Sequence, residues 1–166
     1  MYEIGQMVVY GVHGVCRIID QESRTVDRKR MEYLVLEPVG QRGSTYLVPA
    51  GNPNALSKLR PVLQRADVEK LLASEKIREP YWIPEENARK LYYKELLAGG
   101  DRVALLQMIC SLERHRMEQA AQGKKFHQCD EIFMRDAMRL IDGEFSVALG
   151  ISPAEVGPYI RARCGE

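Results

Sequence analysis

The sequence predicts an α+β protein of two modules: a small barrel or bent antiparallel sheet over residues 1–64, then a compact bundle of about five helices over 65–166. Three observations predict it. The β-branched residues Val, Ile and Thr number 14 in residues 1–65 but only 11 in the remaining 101, and such residues suit strands. Apolar residues alternate in short runs between turn signals in the first part, and recur at helical spacing in the second. Runs of strands followed by runs of helices form separate modules rather than one interleaved sheet.

Met7-Val8-Val9-Tyr10 reads as the first strand, Gly11-Val12-His13-Gly14 as its turn and Val15-Cys16-Arg17-Ile18-Ile19 as the second strand. Arg24-Thr25-Val26 and Met31 to Leu36 bracket a charged turn at Asp27-Arg28-Lys29-Arg30. Ser44 to Val48 is a further strand, stopped by Pro49, which has no N–H for a ladder. Leu59 to Val62 adds a short edge.

Ala66 to Leu72 forms a short amphipathic helix, and the segment Glu79-Pro80-Tyr81-Trp82-Ile83-Pro84 breaks the helical pattern at its prolines. Pro84 suits the first turn of the next helix, which runs through Arg89, Tyr92 and Tyr93 to Leu97 and ends at Gly99-Gly100. Asp101 caps a third helix striped with Val103, Leu106, Ile109 and Leu112, broken by Gly123. A fourth, from about Phe126 to Leu149, turns Ile132, Ala137, Leu140, Ile141 and Phe145 inward. Ser152-Pro153-Ala154-Glu155 is a capping-box start for a fifth helix, through Val156 and Ile160.

Lys and Arg total 24 against 23 Asp and Glu, a balance that excludes coating nucleic acid by bulk charge. No run approaches the roughly 18 apolar residues of a membrane span, and the N-terminus lacks signal-peptide character, so a soluble cytoplasmic protein is expected. Cys16, Cys110, Cys129 and Cys164 lie far apart with no C-x-x-C pair, and read as reduced thiols rather than a disulfide framework. His127-x-Cys129, the one close His/Cys pair, reads as helix surface; no metal and no cofactor are expected.

Signatures of nucleotide-binding loops, hydrolases and zinc proteases are absent, and His13 between two glycines reads as a turn residue. Glu85-Glu86 and Asp130-Glu131 sit where helix dipoles favour carboxylates. Lys124-Lys125 with Arg114 and Arg116 form a candidate positive corner; Arg89, Lys90 and Lys94 follow the single tryptophan. Charge alone favours a solvated surface over a phosphate footprint. Trp82 is either a core or helix-capping ring, or an aromatic that stacks on a base or wedges into a minor groove.

These residues resemble the CarD/CdnL family of bacterial transcription regulators. Ile4-Gly5-Gln6-Met7-Val8-Val9-Tyr10 followed by His13-Gly14 is similar to the family's opening, and the likeness continues through Arg24-Thr25-Val26, Glu32 to Leu36, Val48-Pro49-Ala50, Trp82, Arg89 and Gly100-Asp101. The opening module also resembles the polymerase-interacting domain of transcription-repair coupling factors. The resemblance implies a Tudor-like β-module that docks on the β subunit of RNA polymerase, and a helical module that touches promoter DNA at the upstream fork of the bubble. It implies one docking edge including Arg24, Thr25 and Val26 together with Leu47, Val48 and Pro49. Leu47 departs from the arginine many relatives carry there, and Arg60 is the candidate compensating cation. DNA contact is implied for Trp82, Arg89, Lys90, Lys124 and Lys125. Trp82 lies about four residues, roughly one helical turn, farther from the following Gly-Asp than in better-known members.

The mechanism so implied needs no catalysis. A protein favouring the open bubble must bind it better than closed duplex, and docking raises the effective concentration of a weak DNA contact. Sequence preference is expected to be weak, with promoter choice following bubble stability. The competing readings are a polymerase-docked adaptor whose bundle binds another protein and, more distantly, an enzyme using His13 and a cysteine. A monomer is expected, with strand-swapped dimerisation the hazard of an open edge. Trp82 is expected to be well exposed beside Arg89 or Lys90.

Overall fold

The computed structural model describes residues 2–79 and 81–164, the last by its backbone alone. Pro80, half of the expected proline break, and the Cys164 thiol lie outside the described residues. The chain divides into two compact units, Met1–Val62 and Leu63–Glu166.

Unit one holds strands β1 (Met7–Tyr10), β2 (Val15–Val26), β3 (Lys29–Pro38), β4 (Tyr46–Pro49) and β5 (Leu59–Pro61). They form one antiparallel sheet in the order β4-β3-β2-β1-β5. Of the two forms expected, this is the open sheet, with β4 and β5 as its borders. Val8, Cys16, Ile18, Leu34, Leu36, Val48 and Leu59 make its buried core. A one-turn helix, α1 (Pro53–Leu56), covers that core with Ala55 and Leu56. It was not anticipated, although Asn52 caps it by accepting from the backbone N–H groups of Asn54 and Ala55.

The strands expected at Val15–Ile19 and Arg24–Val26 are one strand. A register slip between Ile18 and Asp20 bends β2 without ending it, because a bulge adds a residue to one side of a ladder and sharpens the local twist. Past the last β4 partner at Tyr33, β2 and β3 continue as an exposed two-stranded arm, residues 23–26 against 29–32. Lys29 and Arg30 pair with Val26 and Thr25, so the connection shrinks from the expected four residues to Asp27 and Arg28. Both have positive φ, 51° and 64°, as the tightest hairpin turns require.

Among the described residues, unit two holds five helices, α2 (Arg65–Leu72), α3 (Glu86–Gly99), α4 (Arg102–Ala121), α5 (Gln128–Leu149) and α6 (Pro153–Cys164), with a 3-10 turn at Glu75–Arg78. Local chemistry starts them. The Asp101 carboxylate accepts from the Ala104 N–H, and Glu155 reaches back to the Ser152 N–H. Pro84 does not open α3; Glu85 is the cap and its carboxylate takes the Ala88 N–H. Leu105, Leu106, Leu112, Ala137, Leu140, Ile141, Phe145 and Val156 lie in one buried core. Ile132 departs from the inward face expected for it and is 41 % exposed. Among the described residues, two ion pairs with little exposed surface cross the bundle. Arg102 meets Glu144 at 2.7 Å, and Glu144 also accepts the Leu63 N–H at 3.0 Å. The second, Arg89 with Asp130, belongs to the site below. No helix among the described residues is long and apolar enough to cross a membrane.

Candidate functional site

In unit one, β1 reaches only Arg17 of β2, and backbone bonds from Gly5 and Gln6 extend its cover to Ile18. From Asp20 to Val26, the side of β2 away from β3 has no strand partner among the described residues. Unpaired backbone groups along such a border can accept a further strand. Arg24 stands exposed here and hydrogen-bonds Glu22 through Nε and Nη2 at 3.2 and 3.0 Å; Thr25 and Val26 are exposed beyond it.

The other expected docking residues lie elsewhere. Leu47 and Pro49 are on β4, paired with Val35 and Tyr33 of β3, so β3 separates their strand from Arg24. One edge therefore cannot contain both groups; they occupy opposite sides of the same hairpin. Val48 is 1 % exposed and its side chain is core. Arg60 is on β5, the border opposite β4 in the strand order, and so does not share a strand edge with Leu47. His13 ends the 3-10 turn Gly11–His13 and packs its ring 5.0 Å from Tyr10 and 4.5 Å from Tyr46.

In unit two, one face of α4 pins the segment that carries the tryptophan. Gln107 donates to the Glu79 carbonyl at 3.0 Å, Ser111 accepts from the Tyr81 N–H at 3.2 Å, and the His115 ring stacks on Trp82 at 3.7 Å with planes 19° apart. Spacings of four along a helix put all three on one face. Trp82 is half-buried, packed against the bundle core, so it is less exposed than expected.

Arg89 lies beside it as expected, with its guanidinium carbon 4.6 Å from the indole centroid. It is not a surface cation. Only 5 % exposed, it donates to Asp130 through Nε and Nη2 at 2.8 and 3.0 Å and to the Ile83 carbonyl through Nη1 at 3.0 Å. Burial penalises its charge, but the hydrogen bonds and attraction of Asp130 outweigh that and hold its pKa above the ordinary value. Every fork of this guanidinium is committed within the fold, which removes Arg89 from the phosphate-contacting set. Lys90 is half-exposed and pairs with Glu86 at 3.3 Å. Lys124 and Lys125 are exposed after the end of α4, as are Arg114 and Arg116 on its last turns; Arg116 pairs with Glu113.

Sequence reasoning missed Asp130, Ser111 and His115 as the supports of Trp82, since each lies about 30 or more residues away and no local pattern pairs them. It also missed Glu86 beside His127 and Cys129. The Cys129 Sγ is 3.0 Å from His127 Nδ1 and 3.4 Å from Glu86 Oε1, and His127 Nε2 is 3.4 Å from the same oxygen. The Cys129 hydrogen bond, ahead of Lys90, holds the Glu86 carboxyl below its usual pKa. Burial, then that same bond, pushes the Cys129 thiol up.

The uncovered β2 border is a place where a partner strand could add to the sheet. Residues 2–62 match the family model of the CarD-like/TRCF RID domain. Unit one is thus a CarD-like/TRCF RID domain, an RNA polymerase-interacting kind of module that is typically non-catalytic, and this match suggests a transcription-related role.

Proposed function

We propose that the whole chain is a CarD-like regulator. Unit one docks on the RNA polymerase β subunit through the uncovered β2 border at Arg24, Thr25 and Val26, and unit two stabilises the promoter open complex at the upstream fork. The observation that carries this reading is the family match over unit one, joined to a border that presents Arg24 and free backbone groups. Backbone pairing supplies the affinity and Arg24 the register.

Docking makes weak DNA affinity sufficient, because it turns the second contact into an intramolecular one. Lys90, Lys124 and Lys125 supply the phosphate contacts, and Trp82 the aromatic. His115 and Arg89 already stack on the indole, so its uncovered part acts as a wedge against re-annealing rather than as a free stacking platform. The pedestal of Arg89 and Asp130 holds that wedge rigid. Trp82→Ala shortens open-complex lifetime about fivefold or more and leaves polymerase affinity unchanged; equal lifetimes would favour the adaptor reading. That second reading draws on Leu91 and Met117, apolar side chains exposed on α3 and α4, which a protein partner would cover.

A further inference from the structure

We propose that Glu86, His127 and Cys129 form a zinc site that ties the start of α3 to the start of α5. Among the described residues these are the one group of three whose donor atoms converge, all within 4.8 Å of one another. Ligands around a tetrahedral zinc, at metal distances near 2.0–2.3 Å, lie about 3.5 Å apart. Here the Cys129 Sγ stands 3.0 Å from His127 Nδ1 and 3.4 Å from Glu86 Oε1, while the 3.4 Å contact of His127 with that oxygen is made by the other ring nitrogen, Nε2. One imidazole nitrogen must serve both neighbours, so a turn of the His127 ring is what brings the three donors, already within 4.8 Å of one another, to coordination spacing.

The donor set selects the metal. Thiolate, imidazole and carboxylate together suit zinc, whereas magnesium and calcium take oxygen ligands. One thiolate and one carboxylate match the charge of a divalent ion. Both anionic ligands sit in the first turn of a helix, Glu86 in α3 and Cys129 in α5, where the exposed N–H groups favour negative charge. Lys90 shares the Glu86 carboxylate through one oxygen and remains exposed enough to swing aside. Binding replaces the S–H bond of Cys129 by an S–zinc bond and releases the proton to solvent, so affinity falls as pH drops. The site is half open, and water completes the fourth position.

The consequence is mechanical. Glu86 lies one turn before Arg89, and Cys129 directly precedes Asp130. The ion would thus lock the same helix junction that the Arg89–Asp130 pair closes, next to the Trp82 segment. This proposal does not depend on the transcriptional reading.

The test is a titration of the full chain with zinc against a chromophoric chelator, alongside Cys129→Ser, Glu86→Gln and, as a control at another thiol, Cys110→Ser. One zinc per chain is expected for the parent and the control. Cys129→Ser should weaken binding about tenfold or more. Cobalt(II) should give a thiolate charge-transfer band in the near ultraviolet that Cys129→Ser abolishes, and zinc but not magnesium should raise the melting temperature of the parent. Circular dichroism establishes that the variants fold. Failure of the parent to compete for zinc, a missing cobalt band, or equal affinity in the folded Cys129→Ser variant would overturn the site.

Discussion

Arg89 and Asp130, 41 residues apart, meet through two parallel hydrogen bonds at 2.8 and 3.0 Å in the interior of unit two. The pair has little exposed surface, 6 % and 2 % of the two side chains. Its guanidinium also lies against Trp82. A buried pair of this kind is weak evidence of net stability, but removing one member strands the other's charge.

Asp130→Ala is therefore expected to cost about 3–5 kcal/mol, read from the urea midpoint. The tryptophan fluorescence of the native state should shift to the red as the stranded guanidinium draws water beside the indole. A loss below about 1 kcal/mol would mean that Arg89 finds another partner or leaves the core.

Arg24→Glu places two carboxylates two residues apart on the exposed arm, where Arg24 now pairs with Glu22. The fold should tolerate it because both groups face solvent. Affinity for the polymerase β subunit should fall about tenfold or more, since reversing an interfacial charge adds repulsion to the lost attraction. Unchanged binding in a purified two-component assay would move the docking surface away from this border.

Arg28 holds φ at 64° in the two-residue turn between β2 and β3. A side chain there strains against the backbone by about 1–2 kcal/mol, and glycine does not. Arg28→Gly should slow amide hydrogen exchange of Val26 and Lys29, the pair next to the turn, with a local gain of about 1 kcal/mol once glycine's greater unfolded freedom is subtracted. Faster exchange would show that the arginine side chain itself orders the arm.

Cys16 lies in the sheet core, and burial pushes its thiol from 9.0 up to about 11. The unfolded chain releases this proton first, so between those values it binds fewer protons than the folded chain and stability falls as pH rises. The contribution is fully present below pH 9.0, declines toward about 11, and amounts to about 2 kcal/mol across the window. Urea midpoints followed by far-ultraviolet circular dichroism should decline more steeply for the parent than for Cys16→Ala. Parallel profiles would show that the thiol does not sense the core.

Much of the fold was legible because its determinants are local. The alternation around Val8, Cys16 and Ile18 marks strands. Asp101 and Glu155 mark helix starts, and the fall in β-branched residues marks the change from sheet to helix. Errors arose where neighbours in space overruled neighbours in sequence. Pro84 suits a first turn, yet Glu85 captured the cap. Ile132 fits an apolar stripe, yet faces outward. The bulge after Ile18 joined two expected strands because the ladder with β3 continues on both sides of it.

The candidate site divides in the same way. Trp82, the cations near it and the Arg24 strand could be picked out by residue type alone, and the amino-acid sequence by itself determined the order and kind of the elements. Only the tertiary structure decided that Arg89 is a buried pedestal, that Leu47 and Arg24 flank opposite sides of one hairpin, and that Glu86 meets His127 and Cys129. The reason is physical. Capping and periodicity act over a few residues, whereas the partner of a buried charge, the free side of a strand and a converging donor set are fixed only when distant helices and strands pack.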